Sequence, residues 1–200
     1  SLTMRKTLLA LAAAATLAGC SSSPKAPTAA STTLPKRIVL VTIDTWRSDA
    51  LSASGSGRVT TPNLDAFARG GLYFPKAWSS ATLTAPSHAT ILTGLEPYHH
   101  GVRDNHGFRL SSSVPTLASL LREKGYATAA FVSAHPLARI MGLDNGFTVY
   151  DDRCAPGDLL SVVPRWRPGS ETIEVARSWL RTAPDRFFLW VHLYEPHDPY

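Results

Sequence analysis

Cysteine is nearly absent from this chain of 200 residues, which has only Cys20 and Cys154. A fold stapled by several disulfides is therefore excluded. Long apolar runs are missing too. The run from Leu8 to Leu17 is shorter than the about 20 residues that cross a bilayer as a helix. Lysine and arginine form no cluster, and aromatic residues are not interleaved with them. No nucleic-acid partner is evident from such a pattern. No internal repeat is visible, which excludes a solenoid or propeller array.

What is present begins with an export pattern. Met4 follows Ser1-Leu2-Thr3 and is the expected natural start. Arg5 and Lys6 then precede the short apolar run, which ends in Leu17-Ala18-Gly19-Cys20. A basic n-region before a short apolar core reads as a secretory signal. Small residues directly before Cys20 resemble the lipobox of bacterial lipoproteins, which implies cleavage before Cys20 and its lipidation. Ser21 in the following position favours the outer membrane in a Gram-negative host. The alternative is an ordinary secreted protein in which Cys20 is incidental. Residues 21–36 are Ser, Thr, Pro, Ala and Lys with almost nothing to bury, and read as a disordered tether. The signal therefore spans 1–20, the tether 21–36 and the folded domain 37–200. The localisation expected is the bacterial cell envelope, with the membrane as partner through a lipid anchor. Removing residues 1–19 takes two basic and no acidic residues from 20 Lys plus Arg and 15 Asp plus Glu, leaving 18 minus 15, or +3. That balance suits an anionic substrate without identifying one.

Within the domain, Arg37 to Ile43 is a continuous β-branched run, as in a parallel strand buried on both faces. Asp44 closes it, either as a site carboxylate at the carboxyl end of a strand or as a turn residue. Thr61 to Gly71 predicts a short capped helix, and Leu72-Tyr73-Phe74 a small strand. Glu96 to Gly107 reads as a polar loop. Pro115 to Lys124 predicts an amphipathic helix, Tyr126 to Val132 a buried strand, and Glu171 to Arg181 a helix with acids early and arginines late. Phe187 to Leu193 is a further strong strand, whereas Cys154 to Gly169 is too rich in Pro and Gly for regular structure. Strands alternating with helices imply an α/β fold with a doubly wound, mainly parallel sheet.

The segment Thr82-Leu83-Thr84-Ala85-Pro86-Ser87-His88 continues through Ile91 and Leu92 to Gly94. It predicts a helix whose first turn is polar, with Thr84 as N-cap and Pro86 in the first turn. Backbone N–H groups there are expected to face an anion beside the Thr84 hydroxyl. The simpler alternative is that Thr84 only caps and His88 only packs. All seven histidines lie in the domain. His99, His100, His106 and His192 read as loop or packing residues.

With these elements in order, residues 37–200 resemble the sulfatase branch of the alkaline phosphatase superfamily. The resemblance is carried by Ile43-Asp44-Thr45-Trp46-Arg47-Ser48-Asp49, Thr61-Pro62-Asn63-Leu64-Asp65, and Thr84-Ala85-Pro86-Ser87-His88 with Leu92-Thr93-Gly94. It continues through His100-Gly101-Val102-Arg103-Asp104-Asn105, Gly125-Tyr126-Ala127, Gly142 to Phe147, and Tyr194-Glu195-Pro196-His197-Asp198-Pro199-Tyr200. The resemblance implies a metal-dependent hydrolase acting on an anionic ester through a covalent enzyme ester. It makes Asp44 and Thr84 metal-binding, Thr84 the nucleophile, and His88, His135 and His197 catalytic. Asn105, His135 and His197 become substrate contacts. The divalent cation would be zinc in preference to calcium or manganese. The family's remaining metal ligands, an Asp-His-Gly-Glu segment, are expected beyond Tyr200, so the chain is expected to be the N-terminal part of a longer, incomplete catalytic domain.

Departures from the sulfatase pattern bear on the substrate. Sulfatases oxidise a cysteine or serine at the nucleophile position to formylglycine, and Thr84 cannot give that aldehyde because its carbinol carbon carries a methyl group. His88 stands where sulfatases have an arginine, Thr45 replaces their second metal-binding aspartate, and Val132-Ser133-Ala134-His135 lacks their lysine. Thr-x-Pro-Ser-His is similar to the nucleophile turn of nucleotide pyrophosphatase/phosphodiesterases and phosphonoacetate hydrolases, which use threonine with zinc. The expectation is therefore cleavage of phosphate mono- or diesters, with sulfate ester hydrolysis as the alternative. A phospho-group transferase or a non-catalytic anion-binding lipoprotein is the reading from another class.

Overall fold

The computed structural model describes residues 33–154 and 166–197. The signal segment, Cys20 and most of the tether lie outside the described residues, as do most of the Pro- and Gly-rich stretch and Asp198 to Tyr200. Among the described residues four strands form the sheet: β1 (Arg37–Ile43), β2 (Ala127–Phe131), β3 (Val149–Asp151) and β4 (Phe187–Leu193). Five α-helices among the described residues accompany them: α1 (Pro62–Arg69), α2 (Thr84–Thr93), α3 (Pro97–His100), α4 (Leu117–Glu123) and α5 (Gly169–Leu180). The strand order is β1-β4-β2-β3 and every pairing is parallel. Parallel neighbours cannot be joined by hairpins, so helices cross over between them and cover both faces.

Strand β4 sits at the centre and its side chains alternate between the two faces. Phe188 and Trp190 join the core that includes Ala89 and Leu92 of α2 and Leu121 of α4. Phe187, Leu189 and Val191 face the other way, onto Ala176, Val175 and Trp179 of α5. His192 continues the Phe188–Trp190 register, so the pleat carries a titratable ring to the α2 face.

Strand β1 departs from its reading as a strand buried on both faces. Ile38 and Leu40 pack on the core, whereas Val39 and Val41 are 54% and 53% exposed. The reason is position, because β1 lies at the sheet edge and is covered on one face among the described residues. Just before β1, the Lys36 carbonyl accepts the Phe187 N–H at 2.9 Å.

Other differences are local. Leu72 to Phe74 forms no strand, and Leu72 and Phe74 are exposed. A single helical turn, α3, interrupts the loop expected over 96–107. Thr61 makes no side-chain cap, and its hydroxyl instead joins Ser52 and Asp65. Helix α4 is closed by a reciprocal pair in which Thr116 accepts from the Ser119 N–H and the Ser119 hydroxyl accepts from the Thr116 N–H. Gly146, at φ 91°, lies against the start of α4, where a Cβ would come within 2.1 Å of the Ser119 nitrogen. Among the described residues no helix is long and apolar enough to cross a membrane.

Candidate active site

The site forms where β1 ends. Asp44 follows the last strand residue, and its N–H is held by the Leu193 carbonyl at 2.9 Å, so it leaves the sheet at the carboxyl end. Open α/β sheets build their crevices there. Thr45 comes next with φ 49°, a left-handed conformation that a β-branched residue adopts at a cost of roughly 1–3 kcal/mol. Its hydroxyl donates to the Pro196 carbonyl at 2.9 Å, tying the turn after β4 to the end of β1. The position of a second carboxylate in the sulfatase pattern thus carries a structural tie.

Helix α2 delivers Thr84. Leu83 is the N-cap and Thr84 the first helical residue, so the expected Thr84 cap does not form. Freed from capping, the Thr84 hydroxyl donates to Asp44 Oδ2 at 3.2 Å. The helix start is held from outside by Asn105, whose Oδ1 accepts the Ala85 N–H at 2.8 Å. This also corrects the expectation of free first-turn N–H groups. The Ala85 N–H goes to Asn105, Pro86 has none, and the Ser87 N–H bonds the Leu83 carbonyl at 3.1 Å. The helix dipole remains, but these donors are taken.

One turn along α2, His88 Nδ1 lies 2.8 Å from the Thr84 carbonyl. A carbonyl only accepts, so Nδ1 carries the proton and Nε2 presents a lone pair. Burial pushes His88 down to about 4, so its ring is neutral at pH 7. The ring meets His192 edge-on at 5.0 Å and Trp190 at 5.7 Å. His192 is fully buried, and its Nε2 lies 3.6 Å from Asp44 Oδ2. That separation exceeds hydrogen-bond range, so the contact is electrostatic. His88 Nε2 and both His192 ring nitrogens are buried with no hydrogen-bond partner. Burial alone would raise Asp44, yet its contacts with His192, His88 and Thr84 together outweigh it and hold the carboxyl below its ordinary value.

A cavity of about 490 Å³ opens in front of this group, lined by Asp44, Thr84, Ser87 and His88, with Trp46 and Ile91 at its sides. The other expected site residues stand apart from it. His135 is exposed in a 3-10 turn after β2 (His135–Leu137), and half-buried His197 stacks on Tyr194 at 4.4 Å after β4. Both lie beyond the carboxyl ends of their strands, as Asp44 does, but neither lines the cavity.

The remaining histidines divide. His99 is exposed on α3, and His106 is exposed on the loop that follows it. His100 is buried and satisfied, accepting the Val102 N–H at Nδ1 and placing Nε2 3.1 Å from the Thr90 hydroxyl. His192, read as a packing residue, is packed but lies against Asp44. The signal for it was present: it is the single polar residue in Phe-Phe-Leu-Trp-Val-His-Leu.

The divalent cation implied by the resemblance can be tested against these groups. The Asp44 carboxylate and the Thr84 hydroxyl converge at the cavity, with orphaned imidazole nitrogens behind them. Buried polar atoms without partners are rare unless something else satisfies them, so the residues fit a cation. Among the described residues no three His, Cys, Asp or Glu side chains cluster closely enough to hold one by themselves.

The sulfatase family model matches residues 36–200. The chain belongs to the sulfatase family. It is 30% identical over 170 residues to an N-acetylglucosamine-6-O-sulfatase of Bacteroides thetaiotaomicron, covering 84% of this chain and 29% of that protein. It is 31% identical over 169 residues to the N-sulphoglucosamine sulphohydrolase of Homo sapiens, covering 82% and 32%. The chain thus spans about a third of the length of these sulfatases. Two solved structures share its fold. One, bound to its substrate D-glucosamine-2-N,6-O-disulfate, has a TM-score of 0.68 at 22% identity, over 82% of this chain and 35% of that one. The other, the phosphonate monoester hydrolase of Agrobacterium radiobacter, has a TM-score of 0.66 at 24% identity, over 83% and 42%. The parallel α/β sheet with helices on both faces is the fold shared with these two structures.

Proposed function

We propose that this sulfatase-family chain carries the nucleophile of a metal-dependent hydrolase that cleaves sulfate esters, with Thr84 as the attacking group. The observation that carries the reading is the hydrogen bond from the Thr84 hydroxyl to the buried Asp44 carboxylate, at the mouth of the cavity. Asp44 and Thr84 would hold the cation. A divalent cation bound there supplies a lowered hydroxyl pKa and a counter-charge for the ester oxygens.

The chain's own groups do the rest. The Thr84 proton points at Asp44 Oδ2, which leaves the hydroxyl lone pairs for the substrate. Asn105 pins the start of α2, so the Thr84 oxygen does not drift from its line of attack. Attack on the tetrahedral sulfur forms a Thr84 ester as the bond to the alcohol oxygen breaks, the Thr84 proton passing to Asp44 Oδ2 and then to the departing oxygen, which leaves as the alcohol. Water then cleaves that ester and returns the hydroxyl. Neutral His88 lines the same cavity without adding charge.

The relatives named above support sulfate as the ester. A second reading, phosphate mono- or diester cleavage, is favoured by the identity of Thr84, since an unmodified hydroxyl suits phosphorus and no aldehyde can form at a carbon bearing a methyl group. The two separate on kcat/KM for 4-nitrophenyl sulfate against 4-nitrophenyl phosphate and bis(4-nitrophenyl) phosphate with the full-length protein. Equal turnover of all three by wild type and Thr84→Ala would remove both readings. In either case we propose that the protein is exported and lipid-anchored at Cys20.

A further inference from the structure

His192 has no role in the chemistry so far, and its surroundings are unusual. It is fully buried in the middle of the fold, yet neither ring nitrogen has a hydrogen-bond partner. A packing histidine normally satisfies at least one nitrogen, as His100 does with Val102. A leucine would fill the same space in β4 without two stranded polar atoms. Something else must use the imidazole.

The distances indicate what it is. Asp44 Oδ2 lies 3.2 Å from Thr84 Oγ1 and 3.6 Å from His192 Nε2. Two donors that each sit about 2.0–2.2 Å from one tetrahedrally coordinated cation are separated by about 3.4 Å. Both separations from Asp44 Oδ2, to the hydroxyl and to the imidazole nitrogen, are thus those of donors sharing one ion. A 3.6 Å gap is conversely too long for a proton-sharing pair between His192 and Asp44. The polarity of β4 points the same way. Its alternation sends Phe188, Trp190 and His192 to the α2 face, so the third of these stands where β1 and α2 converge.

We propose that His192 Nε2 is a nitrogen ligand to the divalent cation held by Asp44 and Thr84. The inference rests on the metal-dependent reading above and adds to it a His-carboxylate-hydroxyl donor set. Such a set favours zinc or manganese over calcium, because imidazole is a poor calcium ligand.

The test uses the full-length protein stripped of metal and loaded with manganese(II), whose electron-spin echo modulation reports directly bound nitrogen. The number of coupled ¹⁴N nuclei should fall by one from wild type to His192→Gln and stay unchanged in His88→Gln. Manganese affinity should fall by about tenfold or more in His192→Gln. Thermal melting of the metal-free variants shows whether each still folds, and His192→Asn, with the same loss of one coupled nitrogen expected, replaces His192→Gln if that variant does not. Manganese bound without ¹⁴N coupling overturns the His192 assignment and leaves Asp44 and Thr84 standing. An undiminished number of coupled nitrogens in His192→Gln also overturns it. Failure of the wild type to bind manganese or zinc overturns this inference together with the metal-dependent reading.

Discussion

Thr84 donates its hydroxyl hydrogen bond to Asp44 across 40 residues of sequence, at 3.2 Å and out of solvent. Two segments that have no local reason to meet are joined at the carboxyl end of β1 by this contact. If the pair is the reacting unit, the two side chains should not be separable by mutation. Thr84→Ala and Asp44→Asn should each reduce ester hydrolysis by roughly 100-fold or more, and the double variant should lose little beyond either single change. Additive losses in a double-mutant cycle of kcat/KM would argue that the contact is incidental.

The covalent step has its own signature. A rapidly quenched reaction of the wild type should leave a sulfo or phospho group on Thr84, located by peptide mass spectrometry. Thr84→Ser should still form the adduct, and Asp44→Asn should accumulate less of it.

Acidification should weaken the fold through His88. Its folded pKa is pushed down to about 4, below the ordinary 6.5. The unfolded chain therefore binds a proton first as pH falls, so the stabilising effect of the neutral ring is complete above about 6.5. It is lost progressively as pH drops toward 4, by on the order of 3 kcal/mol for such a shift. His100 is lowered in the same direction by burial. Melting temperature followed from pH 7 to pH 4 should fall less steeply in His88→Asn than in wild type.

Gly146 should tolerate no side chain. A Cβ there would meet the Ser119 nitrogen at 2.1 Å, and φ 91° is unfavourable for any L-residue with a side chain. Gly146→Ala should destabilise by about 1–3 kcal/mol, read from denaturant midpoints. The loss should arise at the α4 junction, without change in the Asp44–Thr84 site.

The export reading makes a cellular prediction. Cys20→Ser should abolish incorporation of labelled fatty acid and release the protein from the membrane fraction, while the folded domain keeps its melting temperature. Unchanged membrane association of Cys20→Ser would leave Cys20 an incidental cysteine.

Much of the architecture was legible because the relevant physics is local. A β-branched run such as Arg37 to Ile43, or an apolar stripe closed by a capping pair such as Thr116 with Ser119, announces its own element. The ordered string of short matches around Asp44, Thr84 and His197 named the family. Elements whose outcome depends on neighbours were not legible. Leu72 to Phe74 has strand-like residues but no partner strand among the described residues, and Val39 and Val41 look like core but lie on an open edge.

The site divides in the same way. The residue types at Asp44, Thr84 and His88 carry their chemistry in sequence, because a carboxylate after a strand and a hydroxyl at a helix start have a limited range of uses. Which groups meet was decided only by the fold. Thr84 could have capped its helix, but the cap fell to Leu83 and the Ala85 N–H to Asn105, leaving the hydroxyl for Asp44. His192 looked like packing until β4 was laid between β1 and β2, where burial on all sides left both its nitrogens unpaired beside a carboxylate. Burial and hydrogen-bond satisfaction are properties of an environment assembled from distant segments, so they emerge only when β1, α2 and β4 come together.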